Sequence, residues 1–224
     1  MSAVALRRVA AEFVGSAGLS VVVIGSGIAA AQLSTDTGLQ LLENALVTAL
    51  GLAVLILVFQ PVSGAHFNPV VSVVDAVFCG RGWADAARYV PAQIAGCIVG
   101  AVLANLMFGL TAVSWSTTER ATWPHLLAEV VATAGLVVVI FALVRTERAA
   151  LVGPAVGAYI GAAYFFTSST SFANPAITVG RMFSDTFAGI APPSVPAFLG
   201  AQLLGGLAGW LAVRLLFPPR RVTA

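Results

Sequence analysis

The sequence predicts an all-α integral membrane protein with six tilted transmembrane helices, two re-entrant half-helices and an inverted repeat of three spans per half. Three observations carry the prediction. Of 224 residues, 59% are apolar and 9% charged, and the mean hydropathy of +0.97 lies far outside the range of a soluble domain. Long apolar stretches recur six times along the chain. The chain also repeats itself, and each copy carries a short apolar segment opened by Asn-Pro.

The six stretches fall at about 9–31, 40–60, 86–108, 124–145, 150–167 and 195–217, each matching the roughly 20 residues of a tilted span. Together they use up a 22.9 kDa chain, which excludes a separate soluble catalytic domain. The first stretch follows Arg7 and Arg8 and ends in Ala29, Ala30 and Ala31, as a signal peptide would. It also holds Glu12 and is copied later, so it reads as a retained helix. All 11 basic residues are arginine, against 9 acidic ones. Arg7, Arg8, Arg81, Arg88, Arg145, Arg148, Arg214, Arg220 and Arg221 cluster in alternate segments, with only Arg120 and Arg181 between them. By the positive-inside rule both termini are cytoplasmic. No basic block is long enough to grip nucleic acid. Cys79 and Cys97 lack C-x-x-C or metal-ligand spacing and read as packing residues.

The repeat organises the chain. Residues 11–19, opened by Ala11 and Glu12, are matched by 128–136, opened by Ala128 and Glu129. Asn68-Pro69-Val70 is matched by Asn174-Pro175-Ala176, and Gln93 with Gly96 and Gly100 by Gln202 with Gly205 and Gly209. The offsets are 117, 106 and 109 residues, which describes one membrane domain (1–224) built of two repeats, about 1–110 and 120–224. Three spans per half insert the halves in opposite orientation, and sites then fall near the midplane where the halves meet.

Asn followed by Pro is a helix start with a mechanism. Asn caps free amides, and Pro at the first helical position gives up no hydrogen bond. The apolar runs that follow, 70–79 and 176–183, are about half a span long, so the two half-helices meet at their positive N-terminal ends. Non-helical backbone is tolerated at that depth only where it is buried in protein or lines a wet cavity. A water-filled path is therefore expected beside Gly64, Ala65 and His66 and beside Ser171, Phe172 and Ala173. Backbone carbonyls would supply acceptors, Asn68 and Asn174 donors, and aliphatic side chains the opposite wall. Such a lining suits small neutral hydroxylated solutes and repels cations.

In these residues the chain resembles the aquaporin, or major intrinsic protein, family. The resemblance rests on Ser63-Gly64-Ala65-His66-Phe67-Asn68-Pro69-Val70, on Asn174-Pro175-Ala176, on Glu12 and Glu129, and on Gln93 and Gln202, over essentially the whole chain. It implies a right-handed helical bundle, a pore through each protomer of a homotetramer in the cell's inner membrane, and passive conduction of water, glycerol or other small uncharged solutes. No enzyme activity, cofactor or metal is implied. Glu12 and Glu129 would hold the re-entrant loops by accepting their amides, and His66 would fix its loop through its ring.

The sequence departs from the family pattern at several places. Val70 stands where the first motif usually has Ala, and Ile177 where most members carry an arginine at the outer constriction. The other constriction positions fall on Thr48, Ser171 and Ala162, or on Tyr164 in place of Ala162 if the fifth span is anchored on Gly157. This filter reads as wider and less polar than that of a strict water channel. Arg181, one helical turn past Ile177, either reaches back to the mouth, pairs with Asp185 or caps loop carbonyls. Asp75 holds the matching place in the first half and is either solvated, paired with Arg81, or a functional intramembrane acid. His125 is remote from His66, so no metal set forms. Residues 171–190 resemble a bacterial branch of the family associated with arsenic resistance, which implies polyols or neutral metalloid hydroxides such as arsenious acid as permeants. The rivals are a water-selective channel, a coupled secondary transporter, which would need ionisable groups along its path, and a non-conducting structural protein.

Overall fold

The chain is described by a computed structural model covering residues 2–78 and 82–218. Cys79, Arg81, Arg220 and Arg221 lie outside the described residues. Ser2 caps α1 (Ala3–Leu33) by accepting the Ala5 amide, and Asp36 caps α2 (Thr37–Ser63) by accepting that of Leu39. α2 stops at Gly64, whose φ of 97° is the left-handed closure that glycine adopts without strain. The half-helix α3 (Pro69–Phe78) follows, then α4 (Trp83–Met107) and α5 (Trp123–Arg145). A 3₁₀ turn, Ala149–Leu151, leads into α6 (Val152–Phe166). The second half-helix, α7 (Pro175–Gly180), passes into a 3₁₀ turn at Arg181–Phe183, and α8 (Val195–Leu216) closes the fold. Among the described residues six helices are long and apolar enough to cross a membrane.

The outward faces are apolar. Leu46, Leu50, Val54 and Leu57 on α2 and Leu203, Leu207 and Leu211 on α8 are exposed, a surface that suits lipid and not water. Inside, the two halves pack alike: α1 against α4 and α5 against α8, with α2 joining α1 to α6. Small residues permit these crossings. A β-carbon on Gly100 would lie 2.2 Å from the Ala17 carbonyl oxygen, and one on Gly209 2.6 Å from that of Ala134. The half-helices sit within this frame, α3 against α4 and α8, α7 against α4 and α1, and they touch each other.

Candidate functional site

The two Asn-Pro starts meet as the dipeptides require. Asn68 Oδ1 accepts the amide of Val70 at 2.9 Å, and Asn174 Oδ1 accepts those of Ala176 and Ile177 at 2.9 and 3.3 Å. Each Asn also donates across to the other loop: Asn68 Nδ2 to the Ala173 carbonyl and Asn174 Nδ2 to that of Phe67, both at 2.8 Å. An amide nitrogen carries two hydrogens, so each Asn keeps one donor free of this exchange. Both Asn side chains line a cavity of about 440 Å³ that runs through the bundle.

The loops leading to these caps are strained in matching places. Ala65 and Phe67 in one, and Thr170, Ser171 and Ala173 in the other, have φ between 47° and 61°, at about 1–2 kcal/mol for each non-glycine residue. Buried carboxylates hold them there. Glu12 Oε1 accepts the His66 amide at 3.0 Å and Ser63 Oγ at 2.6 Å, while Oε2 accepts the Phe67 amide and Gln93 Nε2, both at 2.7 Å. Glu129 Oε1 accepts the Phe172 amide at 2.8 Å, and Oε2 accepts the Ala173 amide at 2.8 Å and Gln202 Nε2 at 2.7 Å. The glutamines extend the brace to the half-helices, at Ser72 Oγ and Thr178 Oγ1, each 2.9 Å away. Ser72 and Thr178 share the 106-residue offset of the Asn pair, a signal that could have located them from sequence.

The cavity has one aliphatic wall, with Leu52, Leu136, Ile140, Val152, Val156 and Ile160, and a polar strip. At one end the strip consists of Gln60, Gly64, Ala65, His66 and Asp75, and at the other of Thr48, Tyr164, Ser171 and Arg181. Ala173 does not line it: this residue is fully buried and its carbonyl is taken by Asn68. Pro69, Pro175 and Ala176 are likewise buried behind the wall, so only the Asn of each motif reaches the lumen. Val70 points away from it, against Gly206, where a β-carbon would come within 2.5 Å of Val70 Cγ1. The bulkier motif residue is thus matched by a glycine on α8.

At the constriction positions, Tyr164 is buried and lines the cavity, its hydroxyl 3.2 Å from Thr48 Oγ1, whereas Ala162 is exposed on the outside of α6. The placement of Ala162 in the filter is corrected accordingly. A phenol ring narrows this end relative to a methyl group and adds a hydroxyl. Ile177 lines the cavity as expected by position, and the Ser171 hydroxyl is buried with no hydrogen-bond partner among the described residues.

Arg181 is 2% exposed and lines the same end. It does not pair with Asp185. α7 ends at Gly180 and the backbone is extended at Ser184, so the i, i+4 relation is lost, and Asp185 Oδ1 instead accepts the amide and hydroxyl of Thr117 at 2.9 and 3.2 Å. The Arg181 guanidinium lies over the Phe172 ring, 3.4 Å from its centroid, and Nε donates to the Ala188 carbonyl. Arg120, which the sequence showed only as a lone arginine, stands behind. It donates from Nε to the Gly189 carbonyl at 2.7 Å and from Nη2 to that of Phe187 at 3.1 Å, with its Cζ 5.4 Å from the Phe172 centroid. Three consecutive carbonyls are therefore held by two arginines. Burial lowers the Arg120 pKa, and Tyr164 and Glu129 act in the opposite direction.

At the other end His66 Nδ1 is 3.1 Å from Ser72 Oγ, and Nε2 is 3.6 Å from Asp75 Oδ2. Asp75 is 8% exposed and lines the cavity beside His66; the expected alternative partner, Arg81, lies outside the described residues. Among the described residues no group of three metal-ligating side chains forms.

The model of the Major intrinsic protein family matches residues 1–171. Aquaglyceroporin AqpS of Rhizobium meliloti is 46% identical over 215 residues, spanning 96% of this chain and 92% of its own. The chain belongs to the major intrinsic protein family. The glycerol uptake facilitator protein of Pseudomonas aeruginosa is 29% identical over 244 residues, covering 92% of this chain and 87% of its own. The X-ray structure of the aquaglyceroporin from Plasmodium falciparum superposes with a TM-score of 0.71 over 93% of this chain and 95% of that one; at 19% identity this likeness is one of fold. As a major intrinsic protein the chain is a passive multi-pass membrane channel and not an enzyme.

Proposed function

We propose that the 440 Å³ cavity is a pore for small neutral hydroxylated solutes: glycerol-like polyols and neutral metalloid hydroxides such as arsenious acid, with water as a lesser permeant. The observation that carries the reading is the lining. One wall is aliphatic, while Asn68, Asn174, Thr48, Tyr164, Ser171 and Arg181 set hydrogen-bonding groups along the other. A polyol presents the same two faces, carbon on one side and hydroxyls on the other, and reading selectivity from lining groups is the physical route to it. The names of two relatives, an aquaglyceroporin and a glycerol uptake facilitator, point the same way. In this reading Asn68 and Asn174 mark the centre, and Thr48, Tyr164, Ser171, Ile177 and Arg181 form the filter. The carbonyls of Gly64, Ala65, His66 and Phe172 face the path, and Glu12 and Glu129 support the loops.

The protein is further assigned a homotetrameric assembly in the inner membrane, with cytoplasmic termini and two inverted repeats in one domain. The alternating arginines support the orientation, and the apolar outer faces of α2 and α8 leave room for partner copies as well as lipid. Tyr164 favours a second reading, a water-selective channel, because it narrows the filter end. Swelling of proteoliposomes in gradients of glycerol, urea and arsenite decides between them. The proposal expects solute entry without an ion gradient. Water flux with all three solutes rejected would establish the second reading, and saturable or ion-coupled entry would make the protein a carrier.

A further inference from the structure

We propose that Asp75 is the group that keeps small anions out of this pore. The inference rests on the pore reading above and concerns the two ends of the cavity. Among the described residues that line it, the charged side chains are Asp75 at one end and Arg181 at the other. They hold equivalent places, each the seventh residue after its Asn. Each also rests on the residue two before that Asn, and the chemistry of the ring follows the sign of the charge. Arg181 lies on the π face of Phe172, which attracts a cation, whereas Asp75 meets the imidazole nitrogen of His66, which can donate to a carboxylate. Ring and charge are thus exchanged together between the two copies, and both charged residues line the cavity.

Their effects on ions differ. A cation approaching the Arg181 end is opposed by Arg181, with Arg120 behind it, and then by the amide donors of Asn68 and Asn174 at the centre. An anion is attracted by every one of these groups. Backbone carbonyls facing the path oppose it only as neutral dipoles; the described lining side chain that carries negative charge is Asp75, and a unit charge facing a narrow path is screened far less than one in bulk water. Arg181 and Asp75 thus exclude opposite signs, and neutral solutes pass both.

The test uses reconstituted full-length protein in vesicles that report chloride entry by a halide-sensitive dye, with valinomycin and potassium clamping the potential. Glycerol swelling is measured on the same vesicles, so failure of the pore reading shows as absent glycerol flux in the unmodified protein, independently of any ion result. The unmodified protein should pass glycerol and exclude chloride. Asp75→Asn and Asp75→Ser should raise the ratio of chloride to glycerol flux by about tenfold or more, and Asp75→Glu should restore exclusion. In separate vesicles that lack valinomycin and enclose a potassium-sensitive dye, Arg181→Gln should raise potassium entry, while chloride entry in the clamped vesicles stays low. An unchanged chloride-to-glycerol ratio in either neutral Asp75 variant would overturn the assignment. So would loss of glycerol flux in both neutral variants with retention in Asp75→Glu, since Asp75 would then be a folding group.

Discussion

Replacing Glu129 with Gln tests whether a buried carboxylate holds the second re-entrant loop in its strained form. The side chain is fully buried and accepts hydrogen bonds of 2.7 to 2.8 Å from two backbone amides and from Gln202, with the Ser169 hydroxyl as a further donor. A glutamine of the same shape keeps one oxygen, and its amide group then confronts an N–H donor whichever way it is turned. With the amide facing Phe172, one buried donor goes unpaired, at about 1–3 kcal/mol, and the two surviving bonds fall from charge-assisted to neutral at about 1 kcal/mol each. Removing a buried charge relieves desolvation and offsets part of this, leaving a net cost of about 2–4 kcal/mol. The loop carries Thr170, Ser171 and Ala173 at positive φ, about 3–6 kcal/mol of strain in all. A loss comparable to the strain it restrains should release the loop before it unfolds the bundle. The expected result is a folded protein with its midpoint of thermal unfolding lowered by about 5–15 °C. Glycerol flux in proteoliposomes should fall about tenfold or more, since about 1.4 kcal/mol of misplacement already gives that factor. Parent-like flux and thermal stability in Glu129→Gln would refute the bracing argument.

Three further predictions follow from the packing around the loops. Arg120→Ala frees the Phe187 and Gly189 carbonyls and removes the cation behind Arg181, so cation leak should rise while far-UV helicity is kept; Arg120→Lys, which cannot hold both carbonyls with one fork, should rescue only in part. Ile177→Arg adds a second cation to the filter end beside Tyr164 and should cut glycerol and arsenite entry more than water entry, read by stopped-flow light scattering. Gly206→Ala brings a β-carbon to 2.5 Å from Val70 Cγ1 and should cost about 1–3 kcal/mol of stability in thermal unfolding. Adding Val70→Ala should recover most of it, a coupling that a double-mutant cycle measures directly.

The spans and the half-helices were legible in the sequence because each depends on residue type at a coarse spacing; the bracing role of Glu12 and Glu129 came from the family resemblance. Hydropathy needs only a window of about 20 residues, and Asn-Pro specifies its own cap. Side-chain direction was not legible, because a helix turns about 100° per residue. Ala162 and Tyr164 are two positions apart, so about 200° separates them, enough to place one on the outside and the other at the lumen. The Asp185 pairing failed for a related reason: it assumed a helix through residue 185, and α7 stops at Gly180. Positive φ at Phe67 and Ala173 was not legible either, because their amides are held by Glu12 and Glu129 from distant helices, whereas those of Ala65 and Ser171 are held locally by Ser63 and Ser169.

The repeat supplies what local reading lacks. Where both copies keep a residue type, as with Glu12 and Glu129, Gln93 and Gln202, or Ser72 and Thr178, the pair braces a half-helix, a task both halves share. Where the copies differ, as with His66 against Phe172 and Asp75 against Arg181, the pair lies at opposite ends of the cavity. Two inverted copies with identical linings would present the same charge to an ion at either entrance. Opposite charges at the two ends therefore require positions where the repeat is broken, and those are the positions where this chain puts one acid and one arginine.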